Sequence, residues 1–154
     1  MAEIKVVTFL IGKEKYGIEI TKIDAVTEFN NVTRLPNAPI FVEGVFDFRE
    51  KEVLPLINLR RKFNLPEYED KKNSKILILK LNGKKIGLLV DDVKDVVSFS
   101  PDKIEEKPDI LGINNLSFIF GIVKASNIMI IILDINKLLS EKEKKELNKI
   151  RDNL

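Results

Sequence analysis

The stretch KYGIEITKIDAVTEF, residues 15–29, returns without a gap as KIGLLVDDVKDVVSF, residues 85–99. Lys15 corresponds to Lys85, Gly17 to Gly87 and Phe29 to Phe99, and the apolar pairs Ile18/Leu88, Ile20/Val90, Ile23/Val93 and Val26/Val96 keep register throughout. Self-similarity at one fixed period marks a fold that builds the same unit more than once. The flanking segments are therefore read as two versions of one plan.

Upstream of the first copy, IKVVTFLIG (4–12) is rich in β-branched and aromatic residues, stops at Gly12-Lys13-Glu14 and resumes in KYGIEI. That is a hairpin pattern. Upstream of the second copy, KILILKLNGKKIGLLV carries Asn82-Gly83, the strongest short-range hairpin signal. Downstream, GVFDF and EVLPLINL flank the charged turn Arg49-Glu50-Lys51, and FIFGIVKASNIMIIILDI repeats the arrangement with a turn near Ala125-Ser126-Asn127. Pro55 cannot donate to a ladder, which places it at an edge or a bulge. In RLPNAPIFVEG, Asn37 as a cap, Pro39 in a first turn and Gly44 as terminator predict one short helix. RRKFNL predicts a helical turn, and the polar PEYEDKKNS (66–74) reads as the boundary between halves. The C-terminal segment opens with a capping-box pattern, Ser140 with Glu143, and spaces Leu147, Ile150 and Leu154 at helical intervals. The expected fold is mainly β: two packed small β-barrels within one domain. The first barrel spans roughly 13–70 and the second roughly 75–139; strand 4–12 is shared and a helix occupies 140–153.

Composition narrows the chemistry. The 154 residues include 26 basic and 24 acidic side chains, interspersed, so no single-sign field favours nucleic acid or an anionic membrane. There is no Cys and no His, which removes disulfides, thiol nucleophiles, the commonest general base and the usual zinc ligand. MAEIKVVTFL lacks the pattern of a secretory signal, and the longest apolar run, IMIIIL (128–133), is too short to span a bilayer. A cytoplasmic protein without direct membrane insertion is expected. Catalysis would fall to carboxylates or Lys, with Asp24, Asp91-Asp92 and Glu105-Glu106 as candidates. Adjacent residues on a strand point to opposite faces, so Asp91 and Asp92 do not converge on one substrate atom, and Glu105-Glu106 lies in a solvated connection. No phosphate-binding glycine loop is present. Phe9, Phe46, Phe48, Phe118 and Phe120 fall at alternating strand positions, as core residues do. The reading is of a protein with no catalytic residue, cofactor, metal or nucleic-acid partner.

What remains is surface. Ile18, Ile20, Ile23 and Val26 follow neither strict alternation nor a helical stripe, and Val90, Val93 and Val96 share the property. Some of these side chains must face away from their own barrel. They either bury the seam between the barrels or line an apolar groove there.

The segment LPNAPIFVEGVFDFREKEVLPLINLRRKF resembles the CheW-type coupling proteins of bacterial chemotaxis, through Pro36, Pro39, Phe41, Gly44, Val45, Arg49, Pro55 and Leu59. YGIEI (16–20), GLLVDDVKDVV (87–97) and IIILDINKLL (130–139) resemble further family segments, in the family's order, so that the likeness covers roughly 4–140. It implies a single CheW-like domain over 1–154, made of two five-stranded SH3-like barrels. The implied function is a non-enzymatic adaptor between chemoreceptor tips and the regulatory domain of a CheA-type histidine kinase, in the cytoplasm at membrane-associated receptor arrays. An adaptor of a related motility or developmental pathway is the alternative within the family, and a small carboxylate- or Lys-dependent enzyme the alternative outside it. The family's receptor groove corresponds to Val7, Ile20, Ile23, Val26, Val93 and Leu139, its coupling arginine to Arg49, and its kinase-binding surface to the neighbourhood of Ile113, Leu116 and Phe120. DFREKE departs from the family's Asn-Leu-Arg-Gly by one extra residue, which is expected to change the turn type.

Overall fold

The computed structural model describes residues 2–49, 52–105 and 117–154. Strands β1 (Ile4–Ile11) and β2 (Glu14–Glu19) form the first hairpin, turning at Gly12 with φ 63°. A 3-10 turn at Ile20–Lys22 leads into β3 (Ile23–Glu28), β4 (Val32–Thr33), β5 (Val42–Arg49), β6 (Glu52–Asn58) and the helical turn α1 (Leu59–Lys62). The second half runs β7 (Lys75–Leu81), β8 (Lys84–Val90), β9 (Asp92–Phe99), β10 (Ile104–Glu105), β11 (Ile119–Ala125), β12 (Ile128–Leu133) and α2 (Glu141–Asp152).

Two six-stranded sheets result, in the orders β10-β11-β12-β2-β1-β9 and β4-β5-β6-β8-β7-β3. The two orders are identical once each strand is replaced by its repeat equivalent. Every equivalent pair nevertheless exchanges sheets at its opening hairpin: β1–β2 pairs with β9 and β12, and β7–β8 pairs with β3 and β6. The expected unit boundaries, 13–70 and 75–139, are corrected accordingly. One sheet is the continuous stretch 23–90, and the other joins 4–19 to 92–133. A repeat shows which strands are equivalent and leaves open where the unit is cut. The supposed boundary 66–74 lies inside one unit and is tied to it. Tyr68 is buried and donates its hydroxyl to the Leu89 carbonyl, Lys71 reaches Glu43 at 3.0 Å, and Glu67 pairs with Arg61 at 2.8 Å.

The short helix predicted around Asn37 does not form; the stretch is a pair of turns between β4 and β5. Pro36 and Pro39 remove two donors and bias the residues before them toward extended backbone, while Asn37 takes φ 59°. Pro55 lies on β6 just outside the parallel ladder to β8, which begins at Leu56, so its missing N–H interrupts no bond there.

The core has three parts. Val6, Phe99, Val123, Ile130 and Ile132 fill one unit, and Phe46, Leu54, Leu56, Ile76, Ile78 and Leu89 fill the other. A larger cluster lies between the sheets, with Phe9, Ile11 and Ile18 from one side and Leu77, Leu79, Leu88 and Val90 from the other. On β7 the division is strict alternation, Ile76 and Ile78 inward, Leu77 and Leu79 toward the seam. A strand covered on both faces reads as an unbroken apolar run, which accounts for KILILKL.

The repeated glycines have a steric origin. A Cβ on Gly87 would lie 2.6 Å from the Phe46 ring, and one on Gly17 would lie 3.1 Å from Val6. Each faces the interior of its unit where a neighbouring side chain already fills the space. Gly87→Ala is expected to destabilise by about 1–3 kcal/mol, because overpacking forces the ring to move, and Gly17→Ala by less. Denaturant midpoints of the two variants, measured side by side, check the order.

Candidate partner-binding seam

In an antiparallel pair, residues directly opposite one another project from the same face. Val7 lies opposite Val96 and Phe9 opposite Val93, across β1 and β9. Ile23 lies opposite Leu79 and Val26 opposite Leu77, across β3 and β7. Val7, Phe9, Leu77 and Leu79 all belong to the cluster between the sheets. The register therefore places Ile23, Val26, Val93 and Val96 on the seam-facing sides of β3 and β9, which are the terminal strands of their sheets.

Exposure grades outward from the seam. Val7 is 8% exposed, Ile23 and Val93 are half-buried against the cluster, and Val26 and Val96 are 47% and 52% exposed. Ile20, 39% exposed, sits in the 3-10 turn that carries the chain from one sheet to the other. Leu139 is 2% exposed and belongs to the same cluster, beside α2. The residues of the apolar pattern differ in burial: Ile18 and Val90 are fully buried in the seam, while Val26 and Val96 form an apolar margin.

The margin is closed to strand addition. β3 carries an extra residue between Ile23 and Ala25, and β9 carries one between Val93 and Val96. These bulges occupy the same repeat position, and charges surround both. Asp24 pairs with Lys80 at 3.3 Å and Lys85 at 3.5 Å, and Asp95 pairs with Lys15 at 3.3 Å. The repeated lysines, Lys15 and Lys85, thus each reach an aspartate near the bulge. Bulged, charged edges resist pairing with another strand. An apolar margin whose backbone is blocked in this way suits a helix, which brings side chains and needs no backbone partner.

Thr8 anchors the β9 bulge. It is fully buried, accepts from the Asp95 N–H at 3.1 Å and donates to the Asp95 carboxylate. The Thr8 hydroxyl, helped by Lys15 and opposed by burial, holds the Asp95 carboxyl below the usual carboxylate range. A carboxylate with a lowered folded-state pKa contributes stability above its unfolded pKa, and that contribution disappears as pH falls through the folded value. Acidification below about pH 4 is therefore expected to loosen β1–β9 pairing, seen as faster amide exchange in β9 at acid pH and a smaller change in Thr8→Val.

Arg49 ends β5, exposed, with its guanidinium carbon 4.6 Å from the centroid of the Phe48 ring. The turn expected to change type, at residues 50–51, lies outside the described residues. β5 gains its extra residue as a bulge between Asp47↔Val53 and Arg49↔Glu52, whereas the equivalent hairpin passes from Lys124↔Met129 to Ala125↔Ile128 without one. Phe48 is the added residue, and both hairpins keep two residues between their last pairs. Of the suggested kinase-facing residues, Ile113 and Leu116 lie outside the described residues. Phe120, 55% exposed, is the residue by which β11 bulges against β12. Its counterpart on β5, Glu43, is buried and bonded to Asn58 at 2.9 Å and Lys71 at 3.0 Å.

Asp91 is a residue whose role the sequence left unread. It accepts from Arg60 at 2.6 Å and from the Gly12 N–H at 2.7 Å, while its own N–H donates to the Leu10 carbonyl at 2.9 Å. One aspartate thus clamps the first hairpin to α1 where the chain passes between sheets. Asp92 turns instead to Lys94 at 3.2 Å, so the adjacent acids do not converge. Among the described residues no group of three acids is placed to hold a metal, and no helix is long and apolar enough to cross a membrane.

A family model described as the CheW-like domain matches residues 5–143. The chain belongs to the CheW family. It is 32% identical over 149 residues to the chemotaxis protein CheW of Treponema pallidum, covering 94% of this chain and 87% of that one. It is 33% identical over 135 residues to CheW of Klebsiella aerogenes, covering 88% and 81%. The crystal structure of the scaffolding protein TtCheW from Thermoanaerobacter tengcongensis superposes with a TM-score of 0.81 at 31% identity, over 91% of this chain and 90% of that one. CheW proteins are scaffolds without catalytic activity, and this chain is accordingly a chemotaxis coupling protein. The mainly β, two-sheet plan is the CheW fold.

Proposed function

We propose that the seam margin formed by Ile20, Ile23, Val26 and Val93, with Val7 as floor and Leu139 at its far end, receives the helical hairpin of a chemoreceptor's cytoplasmic tip. A CheA-type kinase regulatory domain is held on a separate surface near Ile113, Leu116 and Phe120, and Arg49 takes part in coupling the two. The CheW family couples chemoreceptors to CheA in general, and this chain does so in the cytoplasm, at receptor arrays. The observation that carries the reading is the register: repeat-equivalent apolar residues, Ile23 with Val93 and Val26 with Val96, lie on the seam-facing sides of two terminal strands. Duplication of the fold is then useful, because two copies of one edge form one groove. Calorimetric titration with a receptor-tip fragment and, separately, with a kinase regulatory domain tests the proposal. Binding to both, with a ternary complex that changes kinase autophosphorylation, supports it. Binding to neither, where another CheW protein binds both, overturns it.

A further inference from the structure

We infer that α2 is a displaceable occupant of the end of this same seam, so that the helix sets how much of the groove a helical partner can fill. The inference rests on the seam reading above. On β7 the seam-facing residues run Leu77, Leu79, Leu81, with Val26 opposite the first and Ile23 opposite the second. β3 begins at Ile23, so Leu81, about 7 Å further along the strand, has no partner on β3. At that point α2 takes over. Leu81, Ile86, Leu139 and Leu147, with Lys84 and Asn148 at the rim, line a half-open cleft of about 100 Å³ along the helix. An amphipathic helix on an apolar seam is the same mode of contact proposed for the receptor, here made within one chain.

The helix is lightly held. Leu147 is its one buried residue, and Ile150 adds a partial contact. The remaining attachments are polar: Lys62 to Glu143 at 2.6 Å, Lys84 to Asn148 at 3.0 Å, Lys144 to the Asn136 carbonyl at 2.9 Å, and Arg151 to the Lys85 carbonyl at 2.7 Å. The family match ends at residue 143, whereas α2 continues to Asp152. A twelve-residue helix is marginal by itself, so its displacement is a local unfolding, for which few buried contacts must be broken.

The test compares four forms of the full chain: the natural sequence, Leu147→Asp, Lys62→Glu, and Lys84→Cys/Asn148→Cys joined by a short bismaleimide. The chain has no other cysteine. Amide exchange in α2 is expected to be at least about a hundredfold faster than in β7 and β8, as local opening requires. If α2 is open in about a tenth of molecules, freeing it strengthens binding of a receptor-tip fragment up to about tenfold. The crosslink is expected to weaken it by about tenfold or more. Lys62→Glu leaves the seam side chains untouched and keeps the comparison valid if Leu147→Asp does not fold. Exchange of α2 only on global unfolding overturns the inference. Binding that Ile23→Asp weakens, yet that is equal across the four forms, overturns the inference alone. Failure of every form to bind overturns the seam reading and the inference with it.

Discussion

Ile23→Asp is expected to weaken binding of a receptor-tip fragment by about 1–3 kcal/mol, a loss of roughly five- to 150-fold, while kinase binding stays within about twofold. The side chain is half-buried against the cluster between the sheets, on the seam-facing side of β3. A partner helix laid over it would complete its burial, and a carboxylate there would have to lose water without gaining a cation. Asp24 already satisfies Lys80 and Lys85, so neither lysine is free to pair with the new charge. Val26→Asp is the companion variant. Val26 is 47% exposed in the free protein, so the charge costs the fold little and the effect falls on binding alone. Calorimetry of both variants against both partners, with thermal melts to confirm folding, checks the prediction. Equal loss toward receptor and kinase in a folded protein would contradict it.

Gly44→Ala is expected to give the largest loss of stability of any single methyl addition at the glycines described here, at or beyond the upper end of about 1–3 kcal/mol. A Cβ at Gly44 would lie 2.2 Å from the Thr33 carbonyl oxygen and 3.2 Å from the Arg34 Cα. Both obstacles are backbone, so relief requires β4 to leave β5. The equivalent Gly121→Ala meets the Ile104 side chain at 2.4 Å, where a rotamer change gives part of the relief, and the Glu105 carbonyl oxygen at 2.9 Å. Denaturant unfolding of the two variants is expected to rank Gly44→Ala as the more damaging. Similar stability of Gly44→Ala and the natural sequence would show that β4 does not pack on β5 as described.

The repeat in the sequence made the architecture legible, because a strand pair, its glycine and its lysine recur at one spacing for shared steric and electrostatic reasons. The cut between units was not legible. PEYEDKKNS has the composition of a linker, yet Tyr68, Lys71 and Glu67 each find a partner contributed by a distant strand or by α1. The helix predicted near Asn37 failed for a local reason, two prolines and a positive φ, that cap and terminator residues alone do not reveal. The extra residue near Arg49 was visible as a count, Gly44 to Asn58 against Gly121 to Asp134. Its placement as a bulge at Phe48 depended on cross-strand register. The same limit applied to the seam. Ile18, Ile23 and Val26 look alike in sequence, and only their pairing partners decide which is buried and which forms the margin.

The most direct measurement of the central claim is methyl NMR of isoleucine- and valine-labelled protein, titrated with a receptor-tip fragment. The account predicts that Ile20, Ile23, Val26, Val93 and Val96 shift together and saturate at one affinity, while Val53 and Ile128, on the distal hairpins, stay in place. Shifts confined to the hairpins with an unchanged seam would contradict it and leave the duplicated fold without the groove assigned to it.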